Sequence, residues 1–383
     1  MQVFILIISG VDGMKNPDYP LDLIQIVRKF AVPRDVESIK SIGAGHINDT
    51  YLVTMKYFGK DFVLQRINHV IFKDVKLLME NILRVTRHIN LRHGLNPEVD
   101  YLKSPSVIPT VTGEWFFKDV NGYYWRCYDF IPHDSNSRLS AHNAYEGGRA
   151  IGKFQELLAD LPGERLHETI PFFHDVKNRL EQLDKAVVKD AAGRSDSVKK
   201  ELKIIADRKE EMMQVRNLIK SGKIPERVTH NDTKFNNILF DENGKAIAII
   251  DLDTVMSSSI LFDFGDAIRT LCNTADEDET DLSKVRFNFS CFEQFTGGYL
   301  SEAATLLIES EKKLLAFSCK LMVYIMVVRF ITDYLSGDVY FKIKYPTHNF
   351  HRAVNQLRLL QSINENFDRM EELVRKKAFI SQK

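Results

Sequence analysis

Between Val228 and Asp251 the chain carries the pattern that most restricts its fold. Two short apolar runs, Ile238 to Phe240 and Ala246 to Ile250, flank the turn-forming Asp241-Glu242-Asn243-Gly244. Runs of this kind around such a turn predict a β-hairpin. The hairpin follows a loop bearing His230, Asp232 and Asn237 and ends at Asp251, so folding back brings Asp251 towards Asp232 and Asn237. One carboxylate near an incoming hydroxyl can orient it and take its proton. A second carboxylate and an amide can hold Mg²⁺ against phosphates through oxygen, an arrangement suited to phosphoryl transfer. Taken singly, each of these residues is as well explained as a loop or strand-end cap. The ordered set H-x-D-x-x-x-x-N with a later Asp at a strand end points to catalysis.

The first 130 residues hold much of the strand-like sequence. Thr50 to Tyr57 alternates and Asp61 to Ile67 is a short β-type run. Glu114 to Val120 pairs with Tyr123 to Phe130 across Asn121-Gly122, a strong hairpin signal. One helix, about Val70 to Asn90, interrupts these strands. Gly43, Gly45 and Asn48 precede the first strand pair, where glycines let backbone amides approach phosphate oxygens. A lone GxG serves ordinary turns equally well. No Gly-Lys-Ser/Thr of a P-loop occurs anywhere.

Beyond Pro132 helical periodicity takes over, at Asn143 to Ala159, Phe173 to Val187, Val198 to Lys220, Leu306 to Leu335 and Asn349 to Lys376. The expected class is therefore α+β. A β-rich N-terminal lobe (1–130) joins, near Asp129 to Asp134, a larger and mostly helical lobe (131–383). Residues 1–19 read as disordered or additional to the fold. Within them Val3 to Ile8 lacks the basic flank and cleavage site of a signal sequence. It reads as a buried strand or as the product of a start site placed too far upstream.

Acidic and basic residues balance at 52 each, which gives no bulk field for nucleic acid or anionic lipid. Any anion must be held locally. Cys127, Cys272, Cys291 and Cys319 form no CxxC pair, which argues against zinc or a disulfide framework and fits a reducing, cytoplasmic setting. The apolar run Leu321 to Val328 is too short to span a bilayer and reads as a buried helix. The expectation is a monomer or weak dimer with no membrane or nucleic-acid partner.

His230-Asn231-Asp232 with Asn237, then Ile249-Ile250-Asp251, resembles the aminoglycoside phosphotransferase and choline kinase family, which has a bilobal protein-kinase-like fold. Three strings, HNDTKFNN (230–237), IIDLDTV (249–255) and FDFGDAIR (262–269), look like N-acetylhexosamine 1-kinases. The resemblance runs from about Pro20 to Arg352. It implies ATP as co-substrate and Mg²⁺ as cofactor. It further implies Asp232 as catalytic base, Asn237 and Asp251 as metal ligands, and His230 as organiser of the loop. The activity implied is phosphorylation of the anomeric hydroxyl of N-acetylglucosamine or N-acetylgalactosamine. Kinases of other small alcohols and a regulatory pseudokinase are the alternatives.

Asp263-Phe264-Gly265 spells the DFG of protein kinases, but Asp251, ending the hairpin, is the better equivalent of the magnesium-binding Asp. Asp263 reads instead as a helix N-cap or loop anchor. In kinase-like folds a phosphate-pairing lysine lies on the strand 61–67. Here only Gln65 and Arg66 are present, facing opposite ways, with Glu80 on the following helix as candidate partner. The backbone of Asp129 and Ile131 falls at the hinge that meets adenine. Candidates for substrate contact are His174, Arg269, Asp333, Tyr334 and Arg352. Asp253 is open between aiding metal, touching substrate and being solvated.

Overall fold

The computed structural model describes residues 23–42, 47–57, 59–135 and 139–380. The expectations for Val3 to Ile8 and for Gly43 and Gly45 lie outside the described residues.

An antiparallel sheet organises the N-terminal part. Strands β1 (Val36–Ser41), β2 (Asp49–Met55), β3 (Phe62–Ile67), β4 (Val107–Ile108), β5 (Phe117–Lys118) and β6 (Tyr124–Asp129) pair antiparallel in the order β1-β2-β3-β6-β4, with β5 also against β6. The Asn121-Gly122 turn forms as expected. Gly122 takes φ +86°, and the Asp119 carboxylate accepts from the Asn121 and Tyr123 amides.

Alternation along β3 and β6 divides the sheet into two faces. Phe62, Leu64, Trp125 and Cys127 enter a small core with Ile26 and Val27 of helix α1 (Leu23–Val27) and with Phe30. Gln65 and Arg126, paired directly in register, face the other way, as do Val63 and Tyr128. That second face looks onto the helical part. Helix α2 (Val75–Leu95) begins five residues later than the periodicity suggested, because Asp74 caps it by accepting from Leu77 N at 3.0 Å.

The C-terminal part is helical. It contains α3 (Ala141–Leu157), α4 (Val176–Lys189), α5 (Lys199–Met212), α6 (Gln214–Lys220), α7 (Ile260–Leu271), α8 (Phe289–Ala303), α9 (Glu309–Ser336), α10 (His348–Glu365) and α11 (Phe367–Ile380). Two helices read as continuous from sequence are each broken in two. The 198–220 segment breaks at Met213. The tail breaks at Asn366, whose side-chain amide donates to Ser362 O and whose backbone N–H donates to Ile363 O. Among the described residues α9 is the one helix long and apolar enough to cross a membrane. Its most apolar stretch is 89% buried inside the fold, where it serves as the central core helix.

Helices α3 and α8 cross at glycines. A Cβ on Gly148 would lie 2.1 Å from Phe295 O, on Gly152 2.6 Å from Tyr299 O, and on Gly298 1.9 Å from Tyr145 O. Only bare backbone permits this approach, and it sets α3 where its C-terminal half meets the catalytic stretch. Two short strand pairs complete the frame: β7 (Arg227–Thr229) with β10 (Met256–Ser258), and β8 (Ile238–Phe240) with β9 (Ala246–Ile249).

Because the clash at Gly298 is with backbone, Gly298→Ala should separate α3 from α8 and cost about 1–3 kcal/mol, the usual penalty for overpacking. Differential scanning calorimetry should show a melting temperature several degrees lower, and an unchanged melting temperature would contradict the close crossing.

Candidate active site

The hairpin forms where the pattern placed it. Asp241 N and Lys245 O close the turn at 2.9 Å, Gly244 takes φ +75°, and the Asp241 carboxylate accepts from the Asn243 and Lys245 amides. Ile238 pairs with Ile249, and Ile250 N donates to Asn237 O at 2.9 Å. These bonds hold the end of the loop beside the end of the hairpin, the juxtaposition that the spacing required.

Five hydrogen bonds and one ring contact shape the loop. His230 is fully buried, with its ring edge-on to Phe154. Its Nε2–H donates to Ile250 O at 2.9 Å, leaving Nδ1 to accept from Asp232 N at 3.3 Å. Asn231 adopts φ +64°, a left-handed conformation tolerated by Asn. Its side chain donates to Thr229 O and Thr254 O, tying β7 to the segment after the hairpin. Thr254 Oγ1 returns a bond to His230 O at 2.8 Å. Asp251 also takes φ +64°, the sharp turn that ends the hairpin.

Asp263 anchors this loop rather than capping a helix. Ser259 is the N-cap of α7, and Asp263 sits in its first turn. One carboxylate oxygen accepts from Asn231 N at 2.7 Å, the other from His230 N at 3.0 Å and from Gln155 Nε2 at 2.9 Å. Burial raises its pKa, against the N–H donors that favour the charged form. The remaining letters of the DFG string have packing roles: Phe264 meets Phe292, Phe295 and Tyr299, and Gly265 admits the Ser318 carbonyl of α9.

Asp232 faces Lys234, whose Nζ lies 2.8 Å from Oδ1, and Asn237, whose amide nitrogen lies 2.8 Å from Asp232 O and 3.4 Å from its Oδ2. Burial opposes ionisation of Asp232, but the Lys234 ammonium outweighs it and lowers the pKa. Lys234 was not singled out from the sequence, although its place two residues after Asp232 on the same loop was the available signal. Asp251 behaves oppositely. Burial, then the Asp253 and Asp232 carboxylates, raise its pKa to about 6. A divalent cation there would relieve that repulsion, and the donor set of one carboxylate and one amide oxygen is chemically right for Mg²⁺. Among the described residues no three His, Cys, Asp or Glu side chains form a cage by themselves. Phosphate oxygens and water would complete the shell.

The remaining candidates separate into two groups. His174, Arg269 and Asp253 lie against the catalytic stretch. His174 donates from Nε2 to Asn231 O at 3.0 Å, and burial pushes its pKa down to about 3, so it is neutral. Arg269 is buried in ion pairs with Asp266 and Glu277. Asp253 is not solvated: its side chain is 3% exposed, paired with Arg126 at 2.5 Å and bonded to Asn48 at 2.6 Å. Asp333, Tyr334 and Arg352 instead form one corner of the helical part. The Asp333 carboxylate accepts from the amides of Val339, Tyr340 and Phe341, the Arg194 guanidinium stacks on Tyr334, and Arg352 donates to Asn349 and Lys342 O.

At the sheet, Gln65 faces the cleft, donating to Thr50 and accepting from Arg126. Arg66 faces away, paired with Asp49 and stacked 4.7 Å from the Tyr123 ring. Glu80 does not partner either of them. It lies half-exposed beside His167 at 3.3 Å, outside the buried stripe of α2 that Leu78, Met79, Ile82 and Val85 form. At the hinge, Asp129 N–H and carboxylate both bond Ser106, and a ring N–H of His133 donates to Ile131 O.

The phosphotransferase enzyme family, also called APH, matches residues 38–286, well over half of the chain, and the protein belongs to that family. The fold is shared with solved structures at low identity. An aminoglycoside phosphotransferase from Alicyclobacillus acidocaldarius is 11% identical, with a TM-score of 0.54 over 90% of this chain and 95% of that one. Choline kinase from Cryptosporidium parvum is 17% identical, with a TM-score of 0.55 over 93% and 99%. Plasmodium vivax ethanolamine kinase is 13% identical, with a TM-score of 0.55 over 84% and 82%. The chain is thus a phosphotransferase with the kinase-like fold: sheet-rich at its N-terminal end, helical at its C-terminal end.

Asp263 offers three N–H groups an all-acceptor partner, and Asp263→Asn would turn a donor towards them. The variant should lose about 1.5–3 kcal/mol, the range for hydrogen bonds to a charged group. Urea denaturation reads this as a lower midpoint at unchanged slope, and a midpoint equal to wild type would remove Asp263 from its anchoring role.

Proposed function

We propose that this phosphotransferase uses Mg-ATP to phosphorylate the anomeric hydroxyl of N-acetylglucosamine or N-acetylgalactosamine, releasing the sugar 1-phosphate and ADP. The observation that carries the chemistry is the single hydrogen-bonded loop that sets Asp232, Asn237 and Asp251 side by side. In this reading residues 1–130 hold the nucleotide and residues 131–383 hold the acceptor and the catalytic groups. The resemblance of three strings supports the choice of sugar. They converge in the fold: Asp263 of the third holds the His230 and Asn231 amides of the first, and Thr254 of the second bonds His230 O.

Asp232 orients the sugar hydroxyl and takes its proton as the oxygen bonds to the γ-phosphorus and the bond to ADP breaks. Lys234 keeps Asp232 ionised until then and shares the phosphoryl charge. Asn237 and Asp251 would hold Mg²⁺, which would supply positive charge against the phosphates. Asn48, Gln65 and the backbone of Asp129 and Ile131 are assigned to the nucleotide side, and Gly43 and Gly45 are assigned there from the sequence alone. His174, neutral and packed beside Asn231 and Phe262, borders the acceptor side with Arg269.

Asp232→Asn should cut turnover by about 10²-fold or more, the loss expected for a missing general base. Steady-state ADP release reads it, and near-normal turnover would take Asp232 out of this role. The acceptor is tested with a panel of hexosamines, aminoglycosides, choline and ethanolamine, reading the phosphorylated position by phosphorus NMR. A 1-phosphate formed from either N-acetylhexosamine is the expected product. Turnover only on another alcohol would replace the sugar assignment, and nucleotide binding without turnover on any acceptor would make the chain a pseudokinase.

A further inference from the structure

The cleft-facing position of β3 is occupied by Gln65, which has no charge to offer a phosphate. Its side chain is committed: Nε2 donates to Thr50 at 3.1 Å, and Oε1 accepts from both Nε and Nη2 of Arg126, at 3.0 and 2.9 Å. Arg126 stands directly opposite on β6. Its guanidinium is 1% exposed, crosses the Tyr128 ring at 5.2 Å, and reaches Asp253 through Nη1 at 2.5 Å. Asp253 follows Asp251 by two residues, and its second oxygen accepts from Asn48, three residues after Gly45 in the sequence. Arg126 therefore sits between β3, the expected metal ligand and the end of the glycine-rich segment.

A guanidinium has five N–H donors. The three contacts just given leave two without a partner among the described residues, in a side chain from which water is excluded. Buried polar groups are as a rule hydrogen-bonded, so the spare pair, unmatched by the described residues, is available to a ligand. Planar donors of this kind match phosphate oxygens in a bidentate way.

We propose that Arg126 is the phosphate-binding cation of this site, supplied from β6 in place of a lysine on β3. Gln65 orients the guanidinium, and Asp253 is the counter-acid that holds it at the cleft in the absence of nucleotide. The ion pair joining the sheet to the catalytic segment is thus made by Arg126 and Asp253, while Glu80 on α2 remains at the surface with His167. The ligand recognised is the α- or β-phosphate of a nucleoside di- or triphosphate. The inference rests on the ATP-dependent reading above.

Binding of ATP, ADP and adenosine to the full-length chain, measured by calorimetry with Mg²⁺ and no acceptor, tests it. Removing Arg126 alone would strand a buried carboxylate, so the comparison is between Asp253→Asn and the double variant Arg126→Met/Asp253→Asn. The double variant should bind ATP and ADP at least about tenfold more weakly than the single one, the loss expected for charge-assisted bonds. Adenosine affinity should change by less than about twofold, because adenosine offers no phosphate. Adding Gln65→Lys to the double variant should recover most of the ATP affinity by returning a cation to β3. Equal ATP affinity in the single and double variants, or equal weakening of ATP and adenosine, would overturn the proposal and leave Arg126 a structural partner of Asp253. Should the double variant not fold, Arg126→Met/Asp253→Leu replaces the pair by an apolar one and gives the same readout. A wild-type chain that binds adenosine as tightly as ATP would instead overturn the ATP-dependent reading itself, separately from the role of Arg126.

Discussion

The loop between β7 and β8, which carries the proposed catalytic residues, makes few hydrogen bonds of regular secondary structure, so its shape depends on one buried carboxylate. Asp263, in the first turn of α7, receives the backbone N–H groups of His230 and Asn231 and the side chain of Gln155. Left unpaired in the core, either amide would cost on the order of 1–3 kcal/mol. Held by Asp263, they fix the φ +64° turn at Asn231 and so the direction in which Asp232 leaves the loop. The same carboxylate joins three elements, because Gln155 lies on α3 and also accepts from Tyr299 of α8 at 2.7 Å. The glycine crossing of α3 and α8 therefore contributes to the site at a distance: it brings Gln155 within reach.

Charge is unevenly distributed over the finished site. Asp232 is matched by Lys234 and stays ionised, whereas Asp251 is pressed by two carboxylates and its pKa rises. A base must accept a proton when the acceptor arrives, and a metal ligand must gain from an incoming cation. Each environment suits one of these tasks. On the sheet side, the Arg126–Asp253 pair brings opposite charges together with almost no exposure. Buried pairs of this kind add little to stability relative to apolar packing, so their value is in fixing the position of one segment relative to another.

The hairpin and the loop before it were legible because their signals are local. The hairpin follows from apolar runs and the Asp241–Gly244 turn, and the order of His230, Asp232, Asn237 and Asp251 survives any change in the surrounding packing. Helix α3 was legible to within two residues at each end, whereas α2 lies five residues later than its periodicity suggested, because the cap at Asp74 sets its start. Elements without such signals were missed or joined. Polar β1 forms because β2 offers it a partner, and α8 contains Gly297 and Gly298, which weaken helix propensity until α3 packs against them. The roles of Asp253, Arg126 and Glu80 could not be read in advance, since each depends on partners far away in the chain.

What the sequence by itself determined is the class of chemistry: a loop, a hairpin and the carboxylates and amide that they carry, all set within two dozen residues by turn preference and alternation. Tertiary structure alone decided which cation faces the cleft, which acid holds the loop and which acid is left at the surface. The physical reason is range. Turn geometry and periodicity act between neighbours in the chain, whereas ion pairs such as Arg126 with Asp253, and the anchoring of His230 and Asn231 by Asp263, depend on packing that brings distant segments together and excludes water around them.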